Sequence, residues 1–146
     1  MECATVVAFH FSAVIAERFA QALDNEDYAL AQSFLSDACV YLCRGERYEG
    51  PTAIIASYQG NGTAARVFDS IEYQSDVAPD PAGNYRIRFT DHIEHTGRRF
   101  SFRCEQIVEI DEQDRIIRIE HHDLPGQLEA LAAFRRLAGV PKHDAE

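Results

Sequence analysis

Late in the chain the sequence reads RIEHHDLPGQLEAL, with His121, His122 and Asp123 closing an alternating apolar run. Residues two apart on a strand share a face, so His121 and Asp123 would point the same way and His122 the other. An imidazole titrates near neutrality, and beside a carboxylate it has the chemistry of a general acid/base. His122 is expected at the surface. Asp123 has a second reading: an aspartate just ahead of a helix is a favoured N-cap, worth about 1 kcal/mol. A further carboxylate, Asp91, stands in NYRIRFTDHIEH in phase with Tyr85, Ile87, Phe89 and Ile93. A carboxylate on an apolar face is costly unless it is hydrogen-bonded or faces a watered pocket, so Asp91 is a candidate catalytic residue with His121 and Asp123.

The same parity places Gln106 on the face of Phe100, Phe102, Cys104 and Val108, where it could orient a ligand or bond to Asp91. Phe89, Phe102 and the tyrosines Tyr28, Tyr58 and Tyr73 are candidates to line a ligand pocket, although aromatic residues in such a core also serve as packing. The cysteines Cys3, Cys39, Cys43 and Cys104 form no CxxC pair and fit no zinc spacing, so neither a metal site nor a cofactor is expected. They read as small apolar thiols in a reduced core.

The elements that must position these residues follow from periodicity. Phe11, Val14, Ile15, Phe19, Ala22 and Leu23 recur at helical spacing, with Glu17, Arg18 and Gln21 opposite. DNED (24–27) breaks this helix and offers caps for a short second one, YALAQSFL. ACVYLCR (38–44) reads as a strand, GERYEG as a turn, and Pro51 opens a third helix expected to end near Gly60 and Gly62. From Val67 on the period is two. Four strands, VFDSIEYQSDV, NYRIRFTDHIEH, RRFSFRCEQIVEI and RIIRIEHHD, are separated by turn sequences, as in an antiparallel meander. A final helix carries Leu124, Leu128, Leu131 and Phe134 on one side. The fold class is α+β, with helices on one face of a curling sheet.

Bulk properties narrow the partners. The 146 residues suggest one domain, 1–146, and 46% hydrophobic residues support a core. A net charge of −10 disfavours nucleic acid and anionic membrane surfaces. No run of 18 or more apolar residues occurs, and the opening MECATVVAFHF lacks a basic region and a cleavage pattern. A cytoplasmic location is therefore expected, which makes the Asn61-Gly62-Thr63 sequon irrelevant.

At LSDACVYLCRGERYEGPTAIIASY (35–58), a strand, a turn and a Gly-x-x-Ala-Ile helix start resemble the nuclear transport factor 2-like superfamily, in its SnoaL-like, polyketide-cyclase-like branch. QIVEIDEQDRIIRIEHHDLPGQLEAL (106–131) is similar to that family's closing strands and last helix. The resemblance implies a cone: a highly curved antiparallel sheet around three N-terminal helices, a C-terminal helix, a pocket at the wide end, and dimers through the sheet. Its enzymes include ketosteroid isomerases, epoxide hydrolases, scytalone dehydratases and polyketide cyclases, and other members only bind. The isomerases' general base falls on Leu42, which cannot take a proton, so their usual chemistry is not expected. The epoxide hydrolases' Asp-Arg-Asp set resembles Asp91 and Asp123, but Arg88 has the wrong parity to join them.

Two functions stay open. One is a cofactor-free acid/base enzyme acting on a small apolar molecule through Asp91 and His121. The other is a non-catalytic ligand-binding or assembly domain. A homodimer is expected through the outer sheet face, where Ile107, Ile116 and Arg/Glu pairs would lie.

Overall fold

The computed structural model describes residues 2–141, with side chains from Ser12 onward. Helices α1 (Glu2–Asp24) and α2 (Tyr28–Ser33) lead into strands β1 (Leu35–Cys43) and β2 (Glu46–Glu49), then helix α3 (Pro51–Ala64) and a single 3-10 turn. Strands β3 (Ser70–Pro79), β4 (Tyr85–His95), β5 (Arg98–Ile110) and β6 (Ile116–Asp123) follow, and helix α4 (Gln127–Ala138) closes the chain. The six strands form one curved, open sheet in the order β2-β1-β6-β5-β4-β3. The α+β fold and the β3–β6 meander agree with the sequence expectations.

The sheet departs from a purely antiparallel one at a single pair. β1 runs parallel to β6, with Tyr41 opposite Ile119. Alternation reveals a strand's faces but not its direction relative to a remote partner, which is why this pair was illegible. β2 is the second difference. Its Glu-Arg-Tyr-Glu is short, charged and largely exposed, as an edge strand should be, and so reads as loop. The Arg44-Gly45 link to it has φ of 49° and 81°, so both central residues are left-handed, as a two-residue type I′ hairpin requires.

Other boundaries follow local chemistry. Asp27 caps α2 as expected, its side chain accepting from the Leu30 amide at 3.2 Å. α3 runs past Gly60 and Gly62 to Ala64 rather than ending there. Gly62 is a packing device: a Cβ at this position would collide with the Tyr28 hydroxyl. Opposite Glu109/Ile110 of β5 an irregularity shifts the register of β6, so Ile116 is fully buried in the core and does not sit on the outer face.

The main core packs Ala16, Phe19 and Ala20 of α1 and Ile54 and Ile55 of α3 against Ile87, Val108, Ile116 and Ile119 of the sheet. The larger of these side chains, Phe19, Val108 and the isoleucines, each contribute about 1.5–3 kcal/mol on burial. A second cluster joins Phe68, Ile93, Phe134, Ala138 and Val140, with the Phe100 and Phe134 rings stacked at 5.4 Å. Cys39, Cys43 and Cys104 are free thiols. No helix among the described residues is long and apolar enough to cross a membrane.

Candidate functional site

A cavity of about 240 Å³ opens between the two cores. The concave faces of β4 and β5 form its floor with Phe89, Ile93, Phe102 and Cys104, and helix side chains, among them Tyr28, Tyr58, Leu128 and Leu131, form its walls. This is a mostly apolar concavity with a few polar groups at its ends, the usual form of a small-molecule site. The ends differ in chemistry.

One end holds Asp91, Tyr73 and Asp24. Asp91 and Tyr73 are direct cross-strand partners on β4 and β3. Two residues along β3, Ser75 donates its hydroxyl to Asp24 at 2.5 Å, which fixes the last residue of α1 over the sheet. Burial, reinforced by the Asp24 charge, pushes the Asp91 carboxyl up to about 7. Burial raises Asp24 as well, against the Ser75 hydrogen bond. Tyr73 is pushed to about 12, first by burial and then by the Asp91 charge, and its hydroxyl oxygen is buried without a hydrogen-bond partner among the described residues.

The other end is a continuous hydrogen-bonded chain. Tyr58 donates to Gln106 Oε1 at 2.6 Å, and the Gln106 amide nitrogen donates to Tyr41 Oη at 3.1 Å and to His121 Nδ1 at 3.1 Å. With Nδ1 accepting, the imidazole proton belongs on Nε2, which donates to Asp123 Oδ1 at 2.9 Å. Arg44 closes the chain with two parallel bonds to Asp123, at 2.7 and 2.8 Å. Burial lowers the His121 pKa against the opposing pull of Asp123, so the ring is neutral with both nitrogens engaged. The Arg44 hydrogen bonds hold Asp123 at about 2.

These contacts sort the expected site residues. Asp91, His121, Gln106, Tyr28, Tyr58, Tyr73, Phe89 and Phe102 all line the cavity. Asp91 and His121 do not meet: Asp91 pairs with Phe102 and His121 with Gln106, four residues further along β5. Asp123 lies behind His121 and caps nothing, because α4 starts at Gln127 with the left-handed Gly126 in the cap position. The expected N-cap role is thus overturned: Arg44 and His121 occupy the carboxylate. The inward positions of β1 are Cys39, Tyr41 and Cys43, not Leu42, which alternates outward. None of them is a carboxylate.

Arg44, Asp24 and Tyr41 escaped sequence reasoning. The signal for Arg44 was the Arg-Gly dipeptide, whose left-handed backbone turns the guanidinium back across β1 towards the end of β6. Asp24 read as a helix breaker. Nothing local indicates that it reaches Ser75, which is 51 residues away.

The Arg44–Asp123 bridge has a testable consequence. Arg44→Met is expected to cost about 1–2 kcal/mol at neutral pH, towards the low end for charge-assisted bonds because its side chain is 44% exposed. Asp123 is depressed, so its contribution is complete above pH 3.8 and disappears as pH falls through about 2. Urea melts of the two proteins should therefore converge at the acid end, and a gap that persists there refutes the electrostatic origin.

No family model matches this sequence, and no curated protein matches it significantly. Solved structures do. A candidate polyketide cyclase from Xanthomonas campestris superposes with a TM-score of 0.66 at 16% identity, covering 86% of this chain and 97% of that one. An NTF2-like protein of unknown function from Exiguobacterium gives 0.61 at 15% identity, covering 76% and 98%. An epoxide hydrolase of the LEH-like type from Mycobacterium tuberculosis gives 0.56 at 20% identity, covering 88% and 97%. These likenesses show that this chain has the NTF2-like, SnoaL-like fold.

Proposed function

We propose that this protein carries out cofactor-free acid/base chemistry on a small, largely apolar molecule, with Asp91 as the proton-transfer residue. The observation that carries this reading is a carboxyl, Asp91, set beside Tyr73 on the wall of an apolar cavity, where burial and the Asp24 charge push it up to about 7. A general acid/base works best when its pKa matches the working pH, and such groups contribute about 10²–10⁴-fold to rate. Tyr73, beside Asp91, supplies a hydroxyl that can donate to a developing oxyanion. The reactions within reach are isomerisation, dehydration, cyclisation and water addition. The likeness to an epoxide hydrolase-like structure and to candidate polyketide cyclases supports this range.

His121 takes a different role from the one its sequence position suggests. Its nitrogens are tied to Gln106 and Asp123, so it orients the polar end of the cavity while Asp91 moves the proton. The Asp-Arg-Asp set of epoxide hydrolases is only half assembled, with Arg44 bound to Asp123 and Asp91 at the opposite end.

The test is a substrate panel of small epoxides and β-hydroxy ketones assayed across pH. Turnover should follow one ionisation near 7 and be abolished in Asp91→Asn. Turnover that is independent of pH around neutrality and survives Asp91→Asn refutes the assignment. Ligand binding with no turnover of any class would favour the ligand-binding reading, which the missing carboxylate on β1 supports.

The outer face of the sheet is proposed as a homodimer interface. Arg88 and Arg86 flank Glu105 at 2.7 and 3.8 Å, and His92 bridges Gln74 and Ser101, each at 2.9 Å, so several polar groups on this face are already paired with one another. Such a face can meet its own copy about a two-fold axis without stranding a charge. Light scattering at micromolar concentration is expected to give twice the chain mass, and a monomer would refute it.

A further inference from the structure

We propose that the molecule bound in this cavity is an amine: a small apolar body with a protonated nitrogen seated at the Asp24–Asp91–Tyr73 end. The inference deepens the reading of Asp91 as the reactive group and rests on it. Three oxygen-bearing side chains meet at that end. Asp91 and Tyr73 face each other across β4 and β3, and Ser75 pins Asp24 beside them. The Tyr73 hydroxyl is buried in this concavity with no hydrogen-bond partner among the described residues.

Among the described residues no cation pairs with Asp91 or Asp24, and Arg66, which acts on Tyr73 from a distance, is largely exposed. Burial and Asp24 are what act on Asp91, and no cation among the described residues offsets them. Cations elsewhere on the wall are committed. Arg44 is bound to Asp123, and Arg135 lies over the Phe68 ring at 5.1 Å and donates to the Pro141 carbonyl at 2.9 Å. Nearby, Glu26 adds a third carboxylate next to Tyr28, and its partner Arg66 sits at 3.8 Å with a 74% exposed side chain.

An ammonium group answers each feature. It brings three N–H donors to carboxylate and phenol oxygens, and its charge relieves the repulsion between Asp24 and Asp91. A neutral alcohol could satisfy Tyr73 but would leave that repulsion in place. A carboxylate would meet like charge. The two acids then divide the work. Asp24, fixed by Ser75, pairs with the ammonium, and Asp91, which has no side-chain hydrogen bond among the described residues, stays available to move a proton.

Three probes with one apolar body separate the alternatives: cyclohexylmethylamine, cyclohexylmethanol and cyclohexanecarboxylate, titrated calorimetrically at about pH 7.5 and low salt. The amine is expected to bind at least roughly tenfold tighter than the alcohol, and the carboxylate weakest. Asp24→Asn, checked for folding by a thermal melt, should erase the amine's advantage and leave the alcohol's affinity unchanged. The series on the unaltered protein decides the matter even if that variant fails to fold. Amine binding absent at millimolar concentration, or an alcohol or carboxylate that binds as tightly as the amine, overturns the proposal. Equal binding of amine and alcohol, both sensitive to Asp91→Asn, removes the amine and keeps the acid/base reading. Amine preference with an Asp91 that titrates near pH 4 supports the amine and removes that reading.

Discussion

Asp91→Asn is expected to stabilise the protein at pH 8 and to leave its stability nearly unchanged at pH 4. The sign follows from linkage. Asp91 is raised to about 7 in the fold, from 3.8 in the unfolded chain. Between those values the native state holds a proton that the unfolded state has released, so stability falls as pH rises through this window and stays low above it. The full penalty of an ionised Asp91 is roughly 4 kcal/mol. Asparagine removes it but buries an amide, which returns part of the gain, so a net of about 2–3 kcal/mol is expected at pH 8. For a chain of this size that is roughly 5–10 °C in Tm. Below pH 4 both proteins carry a neutral side chain, and the curves should meet. A variant that is less stable at pH 8 would mean that the carboxylate serves the fold as an acceptor. A gain in stability together with loss of turnover is the signature of a group held against the interest of the fold.

Asp91 was legible because strand parity is local. Its phase with Ile87, Phe89 and Ile93 survives in the registered β4–β5 and β3–β4 pairs, and the same rule placed Gln106 and His121 correctly. Where a bulge intervenes, parity fails. The irregularity at Glu109/Ile110 turned Ile116 inward and undid the expectation that it faces outward. Contacts set by three-dimensional closure were illegible for a related reason. The parallel β1–β6 pair brings the Arg44 hairpin turn to the end of β6, and nothing in either segment announces the other. Asp123 shows the consequence: its helix-start sequence argued for a cap, but a bidentate guanidinium outcompetes one backbone amide for the same oxygens.

Gln106→Leu is expected to be the most damaging single change at the opposite end of the cavity. Gln106 is 3% exposed, and its amide joins three other side chains. Its oxygen accepts from Tyr58, and its nitrogen donates to Tyr41 and His121. Leucine preserves much of the volume, so the loss comes from polar groups left without partners rather than from a void. Two phenols and an imidazole nitrogen would lose partners at about 1–3 kcal/mol each, moderated by repacking, for a total of about 3–5 kcal/mol. Thermal melts should fall by roughly 10 °C or more. The losses are not independent, which supplies the sharper check. Once Gln106 is leucine, Tyr58→Phe should cost far less than it does in the parent, a coupling of about 1–3 kcal/mol in a double-mutant cycle. His121 reports the same event. Burial is what lowers His121, and the Gln106 donor on Nδ1 adds a bond that only the neutral ring can accept, so removing that bond should let His121 titrate at higher pH, visible in its imidazole resonances. A change of less than about 1 kcal/mol, with His121 titrating as in the parent, would show that water replaces the amide and that this end of the cavity is wet.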